Sequence, residues 1–162
     1  MKLYIKQKVF SWRDRFAIFD ETEQSRWFAQ GEIFTFGRKL HIYDVFGNEA
    51  AFIRQKVLSF LHRYYIEIGG SEFEFVKEFT FLRPRFTIRN LDWSVDGDFW
   101  HHDYMVTSSL GEVMRMSRAW LSWGDFYELD INDPQDELLC LCVALAIDCI
   151  NADAAAAAST SS

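Results

Sequence analysis

With 162 residues, 49% of them hydrophobic and 17% aromatic, the chain has material for one well-filled core and too little length for two independent ones. A formal net charge of -7 argues against a general nucleic-acid binder, because neutralising phosphates requires a basic surface. Cys140, Cys142 and Cys149 fall in one apolar segment, which suits reduced thiols rather than a disulfide scaffold.

In chain order, the first ten residues, MKLYIKQKVF, are interrupted by Lys6 and Lys8 before an apolar stretch can form. No signal peptide is expected, and the expected location is cytoplasmic. From Phe10 onward a short unit recurs six times. Two apolar residues at i and i+2 precede a polar or basic turn, and a second pair at i and i+2 follows. The copies are Phe10-Ser-Trp12 with Phe16-Ala-Ile18, Phe34-Thr-Phe36 with Leu40-His-Ile42, Leu58-Ser-Phe60 with Tyr64-Tyr-Ile66, and Phe79-Thr-Phe81 with Phe86-Thr-Ile88. Weaker ones are Phe99-Trp100 with Tyr104-Met-Val106 and Leu121-Ser-Trp123 with Tyr127-Glu-Leu129.

Alternation at period two predicts half-buried antiparallel strands, two per copy. The links between copies carry turn residues such as Gly47-Asn48, Gly69-Gly70 and Gly111. Twelve strands leave two exposed edges unless the sheet closes, so the expected fold is mainly β, a closed antiparallel twelve-stranded barrel. A barrel of about eight strands fills with its own side chains, and twelve therefore need a plug.

The last segment supplies the plug. Asp133 is a good N-cap, Pro134 suits the first helical position, and Asp136 and Glu137 favour the positive end of a helix dipole. Residues 138–147 are apolar on every face and continue to Ile150 across Asp148. A helix over 134–150 is too short for the ~20 apolar residues of a bilayer span, so it is read as the barrel core and not as transmembrane. Residues 1–150 then form a single domain, and 151–162, NADAAAAASTSS, form a low-complexity tail expected to be disordered.

Five segments carry a resemblance: QKVLSF, EFTFLRPRFTI, GDFWHHDYMV, SWGDFYELDI and DELLCLCVALAIDCI. Together they are similar to the bacterial YxjI-like members of the LURP-one-related family. The resemblance implies a tubby C-terminal-like fold, a twelve-stranded barrel around a C-terminal helix, shared with tubby proteins and phospholipid scramblases. Tubby domains bind phosphoinositides through basic surface residues, and scramblases are linked to lipid movement. No catalytic residue carries over onto this sequence, and fold likeness does not assign function.

Catalytic and metal chemistry find little footing. His101, His102 and Asp103 are consecutive, and neighbours in a strand face opposite ways, so the imidazoles do not converge. Cys140 and Cys142 are two apart on a helix, about 200° around it, and read as small core residues. There is no nucleotide-binding loop or nucleophile-elbow pattern, and no cofactor or metal is expected.

Charge is distributed unevenly. In an up-and-down barrel every second turn lies at the same end. The turns inside the copies carry Arg13, Arg15, Arg38, Lys39, Arg63, Arg83 and Arg85 against three carboxylates, while the linking turns carry thirteen carboxylates against Arg89. The seven cations are candidate anion-binding residues, since arginine matches phosphate geometry. The expected function is a non-enzymatic module contacting anionic phospholipid head groups or a membrane surface. Its alternatives are a protein-interaction scaffold using loops such as Asn90-Leu-Asp-Trp93, and a scramblase-like lipid role.

Overall fold

The second half of every repeat forms a strand with its apolar pair turned inward. In the computed structural model, which describes residues 1–6, 15–32, 35–78 and 84–161, these are β2 (Phe16–Asp20), β4 (Lys39–Tyr43), β6 (Arg63–Ile68), β8 (Arg85–Ile88), β10 (Asp103–Ser108) and β12 (Gly124–Ile131). Phe16 and Ile18, Leu40 and Ile42, Tyr64 and Ile66, Phe86 and Ile88 are all buried, as period two requires.

The first halves behave differently. Thr35-Phe36 and Leu58–Phe60 are loops, and Phe99-Trp100 lies in a turn. Phe10-Ser-Trp12 and Phe79-Thr-Phe81 lie outside the described residues. The odd strands come instead from the stretches between copies: β1 (Lys2–Lys6), β3 (Ser25–Gly31), β5 (Glu49–Gln55), β7 (Ser71–Glu78), β9 (Trp93–Asp98) and β11 (Gly111–Leu121). The reason is chemical. Alternating aromatic residues signal a strand only if one face is buried, and Phe36, Leu58 and Phe60 project into solvent. Small inward residues such as Ala51 and Ala29 line the true odd strands and give a weaker pattern.

The twelve strands close in the order β1-β12-β11-β10-β9-β8-β7-β6-β5-β4-β3-β2. Lys2 pairs with Asp130 on β12 while Ile5 pairs with Ile18 on β2, so no edge is left to template another chain. Register shifts at Ile18/Phe19, Ile42/Tyr43 and Val106/Thr107 are the bulges that help bend the sheet. Gly97 permits the closest approach. At φ +141 it lies where a Cβ would stand 2.6 Å from the Asp103 carbonyl oxygen and the Tyr104 Cα.

Asp133 caps a 3-10 turn over Pro134–Asp136 by accepting the Gln135 N–H at 2.9 Å. The helix α1 (Glu137–Thr160) follows and fills the lumen, with Leu139 to Ile150 buried. It runs ten residues beyond the expected end at Ile150. The tail is helical because alanine has the strongest intrinsic helix preference and Ala154 to Ala158 are consecutive. By length and composition Pro134–Thr160 could cross a bilayer, yet 67% of its most apolar window is buried within the barrel.

One expected surface is absent. Trp93 is buried and Leu91 packs against the core, so the Asn90–Trp93 loop does not expose an aromatic docking patch.

Candidate functional site: a basic barrel rim with apolar loop tips

Strand order sends the 32–38, 56–62, 99–102 and 122–123 connections to one end of the barrel, and the 21–24, 44–48, 69–70, 89–92 and 109–110 connections to the other. The helix links the two ends. It starts at the acidic end, where Glu137 is buried and accepts from Arg26 Nε at 2.7 Å, from Arg26 Nη2 at 2.8 Å and from the Trp27 indole N–H at 2.7 Å. It leaves at the basic end, where Asn151 donates to the Phe99 carbonyl at 2.7 Å and Asp153 meets Arg38 Nε at 2.6 Å. The negative end of the dipole therefore points to the basic rim.

Of the seven candidate cations, Arg13 and Arg83 lie outside the described residues. The other five are arrayed around the rim and outer wall rather than gathered into one cradle. Arg15 is exposed and lies over the Phe28 ring, 4.3 Å from its centroid. Arg38 meets Asp153, Lys39 meets Glu32 at 3.2 Å, and Arg63 Nη1 meets Glu74 at 2.8 Å. Arg85 is held loosely, 3.9 Å from Asp96. Exposed pairs of this kind are weak and salt-screened, so Arg15, Arg85 and the exposed Lys56 remain able to face an external anion.

Sequence reasoning missed the rim's other component. Phe36 is 94% exposed, Leu58 and Phe60 are fully exposed, and Val57 and Trp100 are exposed in part. All of these but Val57 belong to the half-repeats that alternation assigned to strands. A usable signal was present in Gly37 next to Phe36, which marks a loop rather than a strand interior. Gly37 has φ +77, and a Cβ there would lie 2.7 Å from Val57 Cγ1, so the Phe36 and Leu58 loops touch.

The paired histidines do not converge, but the cause is the turn between β9 and β10 in which both lie, with His102 at φ +55, rather than strand alternation. His101 is exposed and bonds Asp98 at 2.6 Å. His102 is buried, stacks on Tyr127 at 3.9 Å, and its Nε2 lies 2.6 Å from Asp148 on α1. Burial raises the Asp148 carboxyl above its ordinary range, and its hydrogen bond with His102 offsets part of that shift. Burial likewise pushes all three cysteine thiols up, leaving them unreactive core residues. Among the described residues, no three His, Cys, Asp or Glu side chains gather as a metal site would require.

A closed twelve-stranded barrel threaded by its own C-terminal helix, with ends of opposite charge, defines the class of the molecule. The LURP-one-related family model matches residues 1–148. The chain is 39% identical over 151 residues to the uncharacterised protein YxjI of Bacillus subtilis (strain 168), spanning 93% of each. The X-ray structure of a protein from Arabidopsis thaliana superposes with a TM-score of 0.63 over 91% of this chain and 89% of that one, at 16% identity, a likeness of fold alone. This chain belongs to the LURP-one-related family.

Proposed function

We propose that the protein is a non-catalytic binding module whose basic rim contacts the head groups of an anionic phospholipid surface, as a cytoplasmic protein peripheral to the membrane. The observation that carries this reading is the polarity of the barrel. Arg15, Lys56 and Arg85 are exposed towards one end, where Asp98, Asp103 and Asp125 are exposed as well, whereas Asp20, Asp44, Asp92 and Asp133 crowd the other with few cations among them. A chain of net charge -7 would be repelled by an anionic surface unless it approached basic end first. A leaflet rich in acidic lipid attracts roughly 1 kcal/mol per juxtamembrane cation, so a few such residues suffice for reversible adsorption.

The test is co-sedimentation with phosphatidylserine–phosphatidylcholine vesicles against phosphatidylcholine alone. At low salt the protein should favour the acidic vesicles, and the triple variant Arg15→Glu, Lys56→Glu, Arg85→Glu should bind roughly 100-fold more weakly. Equal binding to both vesicles, or a triple variant that binds like the parent, contradicts the reading.

A further inference from the structure

Charge accounts for approach but not for the apolar side chains on the same rim. Phe36, Leu58 and Phe60 project wholly into water from two touching loops, and Trp100 is half exposed on a separate loop at the same end. Contiguous exposed apolar surface ringed by polar groups marks an interaction site. The backbone at Leu58 sharpens the point. Its φ of +58 lies in the left-handed region, where leucine is strained by about 1 kcal/mol or more and glycine is not, and the exposed side chain returns no packing energy.

The helix adds to the patch. Beyond Asp153, which Arg38 holds at the rim, the described residues of α1 carry no charged side chain. Thr160 and Ser161 donate their hydroxyls to Ala157 and Ala158 carbonyls within the helix. The acidic end also exposes Val45, Phe46 and Leu110, but among Asp44, Glu49, Asp92 and Glu112. Among the described residues the basic end combines apolar tips with several cations, whereas the acidic end's Arg89 is paired with Glu74; apolar tips beside cations let aromatic residues sit at the lipid interface while the cations stay with phosphates.

We propose that Phe36, Leu58 and Phe60 are membrane-inserting tips that enter the acyl boundary of an anionic bilayer, with Trp100 at head-group depth. The proposal rests on the head-group contact argued above and adds a depth to it. It follows that binding has a salt-resistant component, since burying the three side chains contributes apolar transfer energy that counterions do not screen.

The experiment labels Leu58→Cys, Phe60→Cys and, at the opposite end, Phe46→Cys with a polarity-sensitive fluorophore. The native cysteines are buried and leave the engineered thiol as the reactive one. With phosphatidylserine–phosphatidylcholine vesicles, labels at 58 and 60 should shift to the blue and be quenched by acyl-brominated lipid, and the label at 46 should do neither. At ~1 M salt, where the Debye length is ~3 Å, the variant Phe36→Ala, Leu58→Gly, Phe60→Ala should bind roughly 100-fold less than the parent. All three changes are on exposed side chains and Leu58→Gly relieves strain, so this variant should fold.

Binding with unmoved labels overturns insertion and leaves head-group contact standing. No binding of the unlabelled protein at low salt overturns both. A shift at 58 that depends on protein concentration without vesicles identifies a second copy as the occupant and overturns insertion.

Discussion

Glu137 is the residue on which the helix is hung. Its side chain is 7% exposed and takes three donors, two from Arg26 and one from Trp27, so the carboxylate is compensated where it would otherwise be costly to bury. Arg26→Ala leaves only the indole. Because Arg26 itself is half exposed, its loss should cost about 2 kcal/mol, below the range for fully buried pairs, as a lowered urea midpoint. A change under about 0.5 kcal/mol, the ordinary surface range, would contradict the clamp. Asp133, Pro134 and the acidic first turn were legible as a helix start, because capping is local. Arg26 was not, since nothing in a sequence brings together two residues 111 positions apart.

At the scale of the element, α1 is secured near its exit by one buried polar pair. Burial raises Asp148 above its ordinary value of 3.8, so just above that value the native state binds a proton more readily than the unfolded chain does. This group's contribution is therefore full below the unfolded value and declines as pH rises through the folded one. Stability of the parent relative to Asp148→Asn should fall on going from about pH 4 upward in urea melts. A gap that widens in favour of the parent would mean that an ionised bridge to His102 dominates. The strands divide by the same logic of local against distant information. β2, β4 and β6 were legible because their large inward residues alternate, whereas β3 and β5 were missed because Ala29 and Ala51 sit where the barrel wall faces the helix. The loops holding Phe36 and Leu58 imitated strands, since period two says nothing about which face is covered.

The whole molecule is a polar object with a rigid axis. A closed barrel and the direction of the helix were legible, the latter from the caps, but the count of twelve rested on first half-repeats that are not strands and whose place is taken by the stretches between copies. The parity that places alternate connections at one end survives the reassignment of the odd strands, but Arg13 and Arg83 lie outside the described residues and Arg38, Lys39 and Arg63 are each paired with a carboxylate. What sequence could not supply was the apolar component of the basic end, on which the proposed membrane insertion rests. On the reading proposed above, this end faces the membrane. Hydrogen exchange on vesicles containing phosphatidylserine tests it directly. Backbone amides in 35–38, 56–62 and 99–102 should exchange more slowly than in solution, while those in 44–48 and 109–110 are unchanged. Protection at the acidic end, or no protection at either, would contradict it.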